Sequence, residues 1–474
     1  MSDKIIEQIY QRLRRVGAAI DRVEGNNTHS GNLSMRHPQD RDLFFITSTG
    51  AQCGCLIPQD IVPLKFSDIS WGDARGSTES TIHRKVLSLP EVNSVVHAHY
   101  LYTTFISFDT REKQLFLQFV GTDNKGREEF IFHPVDLYGH FALGSVRVGS
   151  YLQPVGSAEM EERIPKYLTK DKVTIVRGHG SFACGKSPEE ALYLMSLLEN
   201  SAKLSITLRR RGVDTAKLQK SIMTSNKNAP YSFRPHLFDD INFSICEVKD
   251  ETIIDDFSQR LNYNYNHQLG TFGTGSMSQK VSSDEMIYCP TSAVPEDFKF
   301  PLIRSKITFQ KNDSLDIRIH KLIYQHTHLN TCMITTSPLA TAEGMAVMAE
   351  KYGVDSLLGE KHSIPYKPDN HPVIIPIDAE AKYLNPRVGL VDIYHITNMS
   401  DDNPILNMLR WHKGCCIVSG YGVISAGSTT LEQAAHNASS VERIARFRIE
   451  AFINEKISDG TPLKFFEQEQ KNDF

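Results

Sequence analysis

No stretch of this sequence approaches the roughly 18 consecutive apolar residues that a membrane-spanning helix needs. Its opening, Met1-Ser2-Asp3-Lys4-Ile5-Ile6-Glu7, is charged and helical in pattern, not a basic end leading into an apolar run. The expectation is therefore a cytoplasmic protein, neither exported nor inserted in a membrane. Cysteine is sparse, with eight residues spread through 474, and disulfides are not expected in such a setting. Cys53 and Cys55, and the adjacent Cys415 and Cys416, have no second pair at zinc-site spacing and read as ordinary small buried residues. A surplus of either charge is missing too. Lys and Arg number 52 against 56 Asp and Glu, a net charge of −4, which offers no basic field to nucleic acid. Forty per cent apolar residues with 29 Gly and 21 Pro exclude disorder and collagen-like repeats.

What the chain does have is length and self-similarity. It is too long for one core of ordinary size, and four blocks recur in order at about half its length. Gly31-Asn32-Leu33-Ser34 matches Gly275-Ser276-Met277-Ser278, an offset of 244. Residues 43–50 (LFFITSTG) match 286–293 (MIYCPTSA), an offset of 243. Glu79-Ser-Thr-Ile-His83 matches Asp316-Ile-Arg-Ile-His320 at 237, and Gly178-His179-Gly180 matches Gly420-Tyr421-Gly422 at 242. Two homologous domains in tandem follow.

Each repeat opens with a helix carrying apolar residues four apart, Ile5, Ile9 and Leu13, then Ile253, Phe257 and Leu261. Each closes with a long helix opened by a capping box, Ser187 to Glu190 and Thr429 to Glu432. Between lie short β-rich runs such as Leu43 to Ile46, Val92 to Val96 and Val173 to Val176, which indicates an α/β domain with a central sheet covered by helices. The domains are expected at 1–215 and 246–474, with 216–245, around Ser225 to Pro230, as a linker. Arg209-Arg210-Arg211 reads as the solvated basic end of a helix. Gln114 to Val120 and Glu128 to His133 read as a hairpin around Gly121 to Gly126, expected to project near the site and shape access, with covering a sheet edge as the alternative.

The residues that carry chemistry begin with His97-Ala98-His99 after the strand-like Val95-Val96. Positions i and i+2 of a strand face the same way, so both imidazoles can reach one metal ion. His179 lies between glycines that permit a sharp turn and close backbone approach, and three histidines leave an open position for substrate.

With Ser77-Thr78-Glu79-Ser-Thr-Ile-His83 added 18 residues before the pair, the chain resembles the class II aldolase/adducin family. The family order of motifs is met by Gly31 to Ser34, Thr47 to Gly50, Ser77 to His83, His97 to His99 and His179-Gly180, covering about 5–212 and more weakly 250–457. The resemblance implies two tandem αβα-sandwich domains with a mostly antiparallel sheet. It also implies a divalent metal, usually zinc with manganese or iron as options, on His97, His99 and His179. Glu79 matches the acid–base residue, and Asn32, Thr49, Gly50, Ser77 and Thr78 match positions that hold a substrate phosphate. Thr78 stands where the family usually has a second serine.

The expected function is a lyase that cleaves a small hydroxy-carbonyl compound, phosphorylated or not, by aldol cleavage or decarboxylation through a metal-stabilised enediolate. Alternatives are a sugar-phosphate epimerase or dehydratase, an iron-dependent oxygenase, and a non-catalytic adducin-like scaffold; Glu79, where the epimerases carry Asp, favours cleavage. His83 is expected to pack beside the site instead of binding the ion. Tyr100, Tyr102, His133 and His140 could belong to the core or touch substrate. In the second repeat Ile334, Thr336, Tyr421 and Asp316 replace His97, His99, His179 and Glu79, so that copy is expected to bind no metal. Four such domains form a ring in the family, which implies a homodimer of this tandem chain, with a small molecule as substrate.

Overall fold

The computed structural model describes residues 3–68, 76–225, 234–354, 357, 364 and 366–457. Part of the expected linker, Asn226 to Pro230, lies outside these residues. The chain divides into two compact units. The first comprises Met1–Pro134, Tyr138–Ala202 and Pro295–Phe298; the second comprises Val135–Leu137, Lys203–Val294 and Lys299–Phe474.

The first repeat runs α1 (Asp3–Arg22), β1 (Asn32–Arg36), β2 (Leu43–Thr47), β3 (Ile61–Lys65), α2 (Ser80–Leu87), β4 (Ser94–Ala98) and α3 (Leu101–Ile106). It continues with β5 (Leu117–Thr122), β6 (Glu128–Phe132), α4 (Leu137–Leu143), β7 (Val146–Gly149), α5 (Ala158–Leu168), β8 (Val173–Val176), β9 (Gly180–Gly185) and α6 (Pro188–Arg210). The nine strands form one sheet in the order β3-β2-β1-β4-β9-β8-β7-β6-β5. Only β7 and β8 pair in parallel. Phe44, Ile46, Val62, Val95 and Phe182 pack with Ile82 and Val86 of α2 and Met160 and Ile164 of α5 in one buried core.

After α7 (Thr215–Ser225), the second repeat runs α8 (Glu251–Asn266), β10 (Ser276–Lys280), β11 (Glu285–Cys289), β12 (Ile303–Lys306), α9 (Leu315–His326), β13 (Thr331–Thr335) and α10 (Pro338–Tyr352). It ends with β14 (Val373–Ile374), α11 (Ala379–Leu384), β15 (Val388–Val391), α12 (Pro404–Trp411), β16 (Cys415–Val418), β17 (Gly422–Gly427) and α13 (Leu431–Ile457). Its sheet has the matching order β12-β11-β10-β13-β17-β16-β15-β14, again with one parallel pair, β15 and β16.

Strand register equates the repeats position by position. Asn32 pairs with His97 across β1 and β4, as Ser276 pairs with Ile334 across β10 and β13. The opening helices bury Ile9 and Leu13, and Phe257 and Leu261. A glutamate of the closing helix caps the helix after the metal-motif strand in both copies. Glu199 accepts from the Tyr102 and Thr103 amides at 2.9 and 2.7 Å, and Glu442 accepts from Leu339 and Ala340 at 3.2 and 2.7 Å. A carboxylate at a helix N-terminus satisfies amides that have no intrahelical partner.

Three expectations need correction. The hairpin takes its alternative place at a sheet edge and does not project beside the site. β5 and β6 extend the far edge of the sheet through β7, and no residue of theirs lines the cavity described below. The second capping box sits one residue later than expected, with the Gln433 amide donating to Thr430 Oγ1 and Gln433 Oε1 accepting from Ser428. In the first, Ser187 accepts from Glu190 as expected, but the Glu190 carboxylate turns to the Lys186 amide. Finally, the basic triplet is not wholly solvated. Arg209 and Arg210 are exposed, while Arg211 is buried and pairs with Glu343 at 2.6 Å. Sequence alone showed a run of like charge; the carboxylate that neutralises it comes from α10.

Cys53, Cys415 and Cys416 are buried as expected, whereas Cys55 is exposed. All eight are unpaired, and burial pushes the Cys53 and Cys415 thiols up to about 12.

Buried neutral histidines of the second repeat make stability pH-dependent. Burial pulls His320 down to about 3 and His412 down to about 4, against about 6.5 in an unfolded chain. Below pH 6.5 the unfolded state takes up protons that the native state refuses, so stability is fully present above about 6.5 and falls as pH drops toward 4. Each histidine contributes a slope of up to about 1.4 kcal/mol per pH unit. The urea midpoint of the second repeat's transition is expected to hold between pH 8 and 7 and to fall between 6.5 and 5; a midpoint unchanged down to pH 5 contradicts this assignment.

Candidate metal centre and substrate pocket

The centre of the first sheet carries the histidines. Val95 and Val96 anchor β4 in the core with no exposure, leaving His97 at its end and His99 just beyond. The His97 ring lies flat on Phe182, its cross-strand partner in β9, with centroids 4.0 Å apart and 10° between planes. Its Nδ1 donates to the Ser181 carbonyl at 2.9 Å, which leaves the Nε2 lone pair facing the site. The His99 amide is held by Asn26 Oδ1 at 2.9 Å and the Gly25 carbonyl at 3.1 Å.

His179 arrives from the turn before β9. Gly178 adopts φ +70°, a conformation that suits glycine. At Gly180 a Cβ would stand 2.6 Å from the Ala98 carbonyl and 2.8 Å from the His99 ring. The motif glycines therefore set how closely β9 approaches the end of β4.

The nitrogens of His97, His99 and His179 all lie within 4.8 Å of one another. His97 Nε2 and His99 Nε2 are 3.0 Å apart, near the edge of about 3.3 Å that a tetrahedral ion with bonds of about 2.05 Å requires. Burial is the largest influence on all three rings. It pushes His97 and His99 down to about 3, helped by the neighbouring imidazoles, and lowers His179 against the opposing pull of Glu79. Neutral imidazoles are the form that binds metal. The donor set fits a divalent ion such as zinc.

Glu79 sits at the start of α2, 3.4 Å from His97 Nε2 through Oε2. Asn32 Nδ2 donates to the same oxygen at 2.8 Å. The other oxygen, Oε1, is buried and has no hydrogen-bond partner. A cavity of about 440 Å³ is lined by Asn32, Thr49, Gly50, Ser77, Thr78, Glu79, His97, His99 and His179. Every site residue named from the sequence thus borders one space. Thr49 Oγ1 donates to the Gly76 carbonyl at 2.8 Å.

The same cavity is lined by Asn27, His29, Ser30, Ser48 and Val155, which the sequence reading did not single out. His29 donates through Nδ1 to the Gly50 carbonyl at 2.8 Å; its nearness to the glycine-serine motif was the available signal. Among the residues left open, Tyr100 is core and His133 bonds Gln118 and Ser145.

In the second repeat the corresponding side chains, Ile334, Thr336, Tyr421 and Asp316, are all buried. Ile334 and Thr336 stand where His97 and His99 do. The Tyr421 hydroxyl donates to Asp316 Oδ1 at 2.7 Å, and the His236 amide donates to Oδ2 at 3.0 Å. A tyrosine at the third histidine position has tied off the carboxylate.

The Class II Aldolase and Adducin N-terminal domain family matches two stretches, 11–206 and 260–449. The chain belongs to this family, twice over. A 3-oxo-tetronate 4-phosphate decarboxylase of Escherichia coli strain K12 is 26% identical over 218 residues, 45% of this chain and 94% of that protein. An L-fuculose phosphate aldolase of Methanococcus maripaludis is 27% identical over 205 residues, 43% of this chain and 92% of the relative. Among solved structures, L-fuculose-1-phosphate aldolase from Thermus thermophilus is 26% identical with a TM-score of 0.36, covering 43% of this chain and 95% of that one. The family match over both stretches gives each copy the class II aldolase fold, and no helix among the described residues is long and apolar enough to cross a membrane.

Proposed function

We propose that this chain is a metal-dependent lyase that cleaves a carbon–carbon bond in a small phosphorylated hydroxy-carbonyl compound, by aldol cleavage or decarboxylation. The carrying observation is the Glu79 carboxylate, which borders the cavity, is anchored by Asn32 at 2.8 Å and lies 3.4 Å from a metal-binding nitrogen, with a second oxygen that has no hydrogen-bond partner. The catalytic domain is assigned to 1–215, the joining segment to 216–245 and the non-catalytic copy to 246–474. The aldolase and decarboxylase among the relatives favour a phosphorylated substrate, and eight unpaired thiols favour the cytoplasm.

His97, His99 and His179 would hold the ion, which when bound supplies Lewis-acid stabilisation of the charge that develops beside the substrate carbonyl. Asn32, Thr49, Gly50, Ser77 and Thr78 hold the phosphate through hydroxyl, amide and backbone donors. Glu79 moves the proton at the carbon where the bond breaks, taking it in the synthetic direction and returning it in cleavage.

The test uses dihydroxyacetone phosphate, the smallest hydroxyketone phosphate, in D2O. Zinc- or manganese-loaded wild type is expected to exchange a carbon-bound proton, followed by NMR, and Glu79→Gln is expected to lose about 10²- to 10⁴-fold of that rate. Loaded wild type that neither exchanges this compound nor cleaves any hydroxy-carbonyl phosphate sinks the reading.

A homodimer completes the proposal. Leu101, Phe105 and Phe108 are 65, 50 and 60% exposed, whereas their counterparts Pro338, Ala342 and Met345 in the second repeat are buried. A face that one copy covers and the other leaves bare suits closure by a second chain. Light scattering is expected to give twice the chain mass of 53.5 kDa, and Phe105→Asp to halve it; a monodisperse active monomer rules the dimer out.

A further inference from the structure

His83 is buried without exposure one turn along α2 from Glu79, and the site described above gives it no task. Its Nδ1 meets the Ser34 hydroxyl at 2.6 Å, while its Nε2 is buried with no partner. Two further buried atoms share that condition, Glu79 Oε1 and Asn32 Oδ1. Buried polar atoms are nearly always bonded, and a group of exceptions calls for an explanation.

The second repeat supplies the control. His320 is the counterpart of His83, and Ser278 holds its Nδ1 at 2.5 Å as Ser34 holds that of His83. There Ser276, in the place of Asn32, bonds the Nε2 at 2.8 Å. Asp316, in the place of Glu79, has both oxygens engaged by Tyr421 and His236. The copy without a metal-binding set has every one of these atoms satisfied. The copy with three converging imidazoles leaves the histidine Nε2, one carboxylate oxygen and the Asn32 Oδ1 open, and Glu79 stands four residues before His83 on the same side of the helix start.

We propose that His83 is a positioning residue for Glu79. The Ser34 hydroxyl donates to Nδ1, so the ring carries its proton on Nε2. That N–H is taken up by the Glu79 carboxylate, directly or through one water, as the carboxylate swings between substrate carbon and resting position. The role is to orient the base and to hold the oxygen that is not transferring the proton. It rests on the lyase reading given above.

The test compares metal-loaded wild type, His83→Leu, His83→Gln and Ser34→Ala, with proton exchange of dihydroxyacetone phosphate in D2O as readout, beside metal content and the Kd of the same compound. The Gln side chain places an N–H near the position of the imidazole Nε2. His83→Leu is expected to bind metal and compound within about threefold of wild type while exchanging at least tenfold more slowly, and His83→Gln to recover at least a third of the wild-type rate. Ser34→Ala, which frees the tautomer, is expected to fall between. If His83→Leu does not fold, the remaining two decide. Wild-type exchange in every folded, loaded variant overturns the proposal and leaves the lyase reading standing, and so does a His83→Gln rate no better than that of His83→Leu. Loaded wild type that neither exchanges this compound nor cleaves any hydroxy-carbonyl phosphate overturns both.

Discussion

A His97→Ala, His99→Ala variant is expected to lose the metal, while wild type binds about one divalent ion per chain. Three imidazoles converge in the first repeat, one fixed by Ser181 and another by the loop at Asn26. The second repeat presents Ile334 at the register position of His97, with Thr336 and Tyr421 at the repeat counterparts of His99 and His179, and isoleucine offers no lone pair. The stoichiometry therefore separates the repeats, since two equivalents bound specifically per chain would contradict a single centre. Lewis-acid stabilisation amounts to several kcal/mol, and each 1.36 kcal/mol is tenfold in rate. The loss of turnover should thus exceed about a thousandfold. The variant should keep its fold, because both rings border the cavity and the core beneath the sheet, built by Val95, Phe182 and the residues packed with them, is left untouched. Elemental analysis beside far-ultraviolet circular dichroism distinguishes a lost ion from a lost domain. No metal in wild type even after reconstitution would favour a pair of non-catalytic domains.

The largest stability effect is expected at Glu343, far in sequence from any of these residues. Its carboxylate has no exposure and stands between Arg211 at 2.6 Å and Arg448 at 2.8 Å, both themselves buried. Arg211 also stacks over Phe452 at 4.1 Å. Glu343→Ala removes the buried carboxylate that the two buried guanidinium groups share, leaving Arg211 with the half-exposed Glu350 at 3.1 Å and Arg448 with the Ile375 carbonyl at 2.7 Å. Breaking a buried pair in this way costs about 3–5 kcal/mol. In a domain of this size each kcal/mol lowers Tm by about 2–4 °C, so calorimetry should place the second repeat's transition roughly 6–20 °C lower. Arg211→Met with Glu343→Leu, which removes charges together, should recover part of the loss. A Glu343→Ala transition within about 2 °C of wild type would show that water reaches the arginines.

Much of this is legible in the amino-acid sequence. The tandem repeat, the α/β class and the metal motif are local in the chain, because strand alternation places His97 and His99 on one side and flanking glycines mark the turn at His179. The position of Glu79 relative to the histidines followed from the family resemblance, not from periodicity. The hairpin was recognised as a hairpin, but its placement at the sheet edge depends on pairing with β7, and hydrogen bonding between distant strands leaves no pattern in either strand alone. The Arg211 to Glu343 pair was invisible for the same reason, since a side chain's charge shows in the sequence and its partner does not.

The division between the two kinds of information runs along range. Sequence by itself determined which residues exist at each end of every motif, that the pattern occurs twice, and that the second copy has lost its imidazoles. Only the tertiary structure decided that the tyrosine replacing His179 reaches Asp316 and ties off its carboxylate, and that His83 keeps an open nitrogen beside Glu79 where His320 does not. Those outcomes depend on distances of about 3 Å between side chains dozens of residues apart or on different strands, and such distances are set by how the sheet packs against its helices.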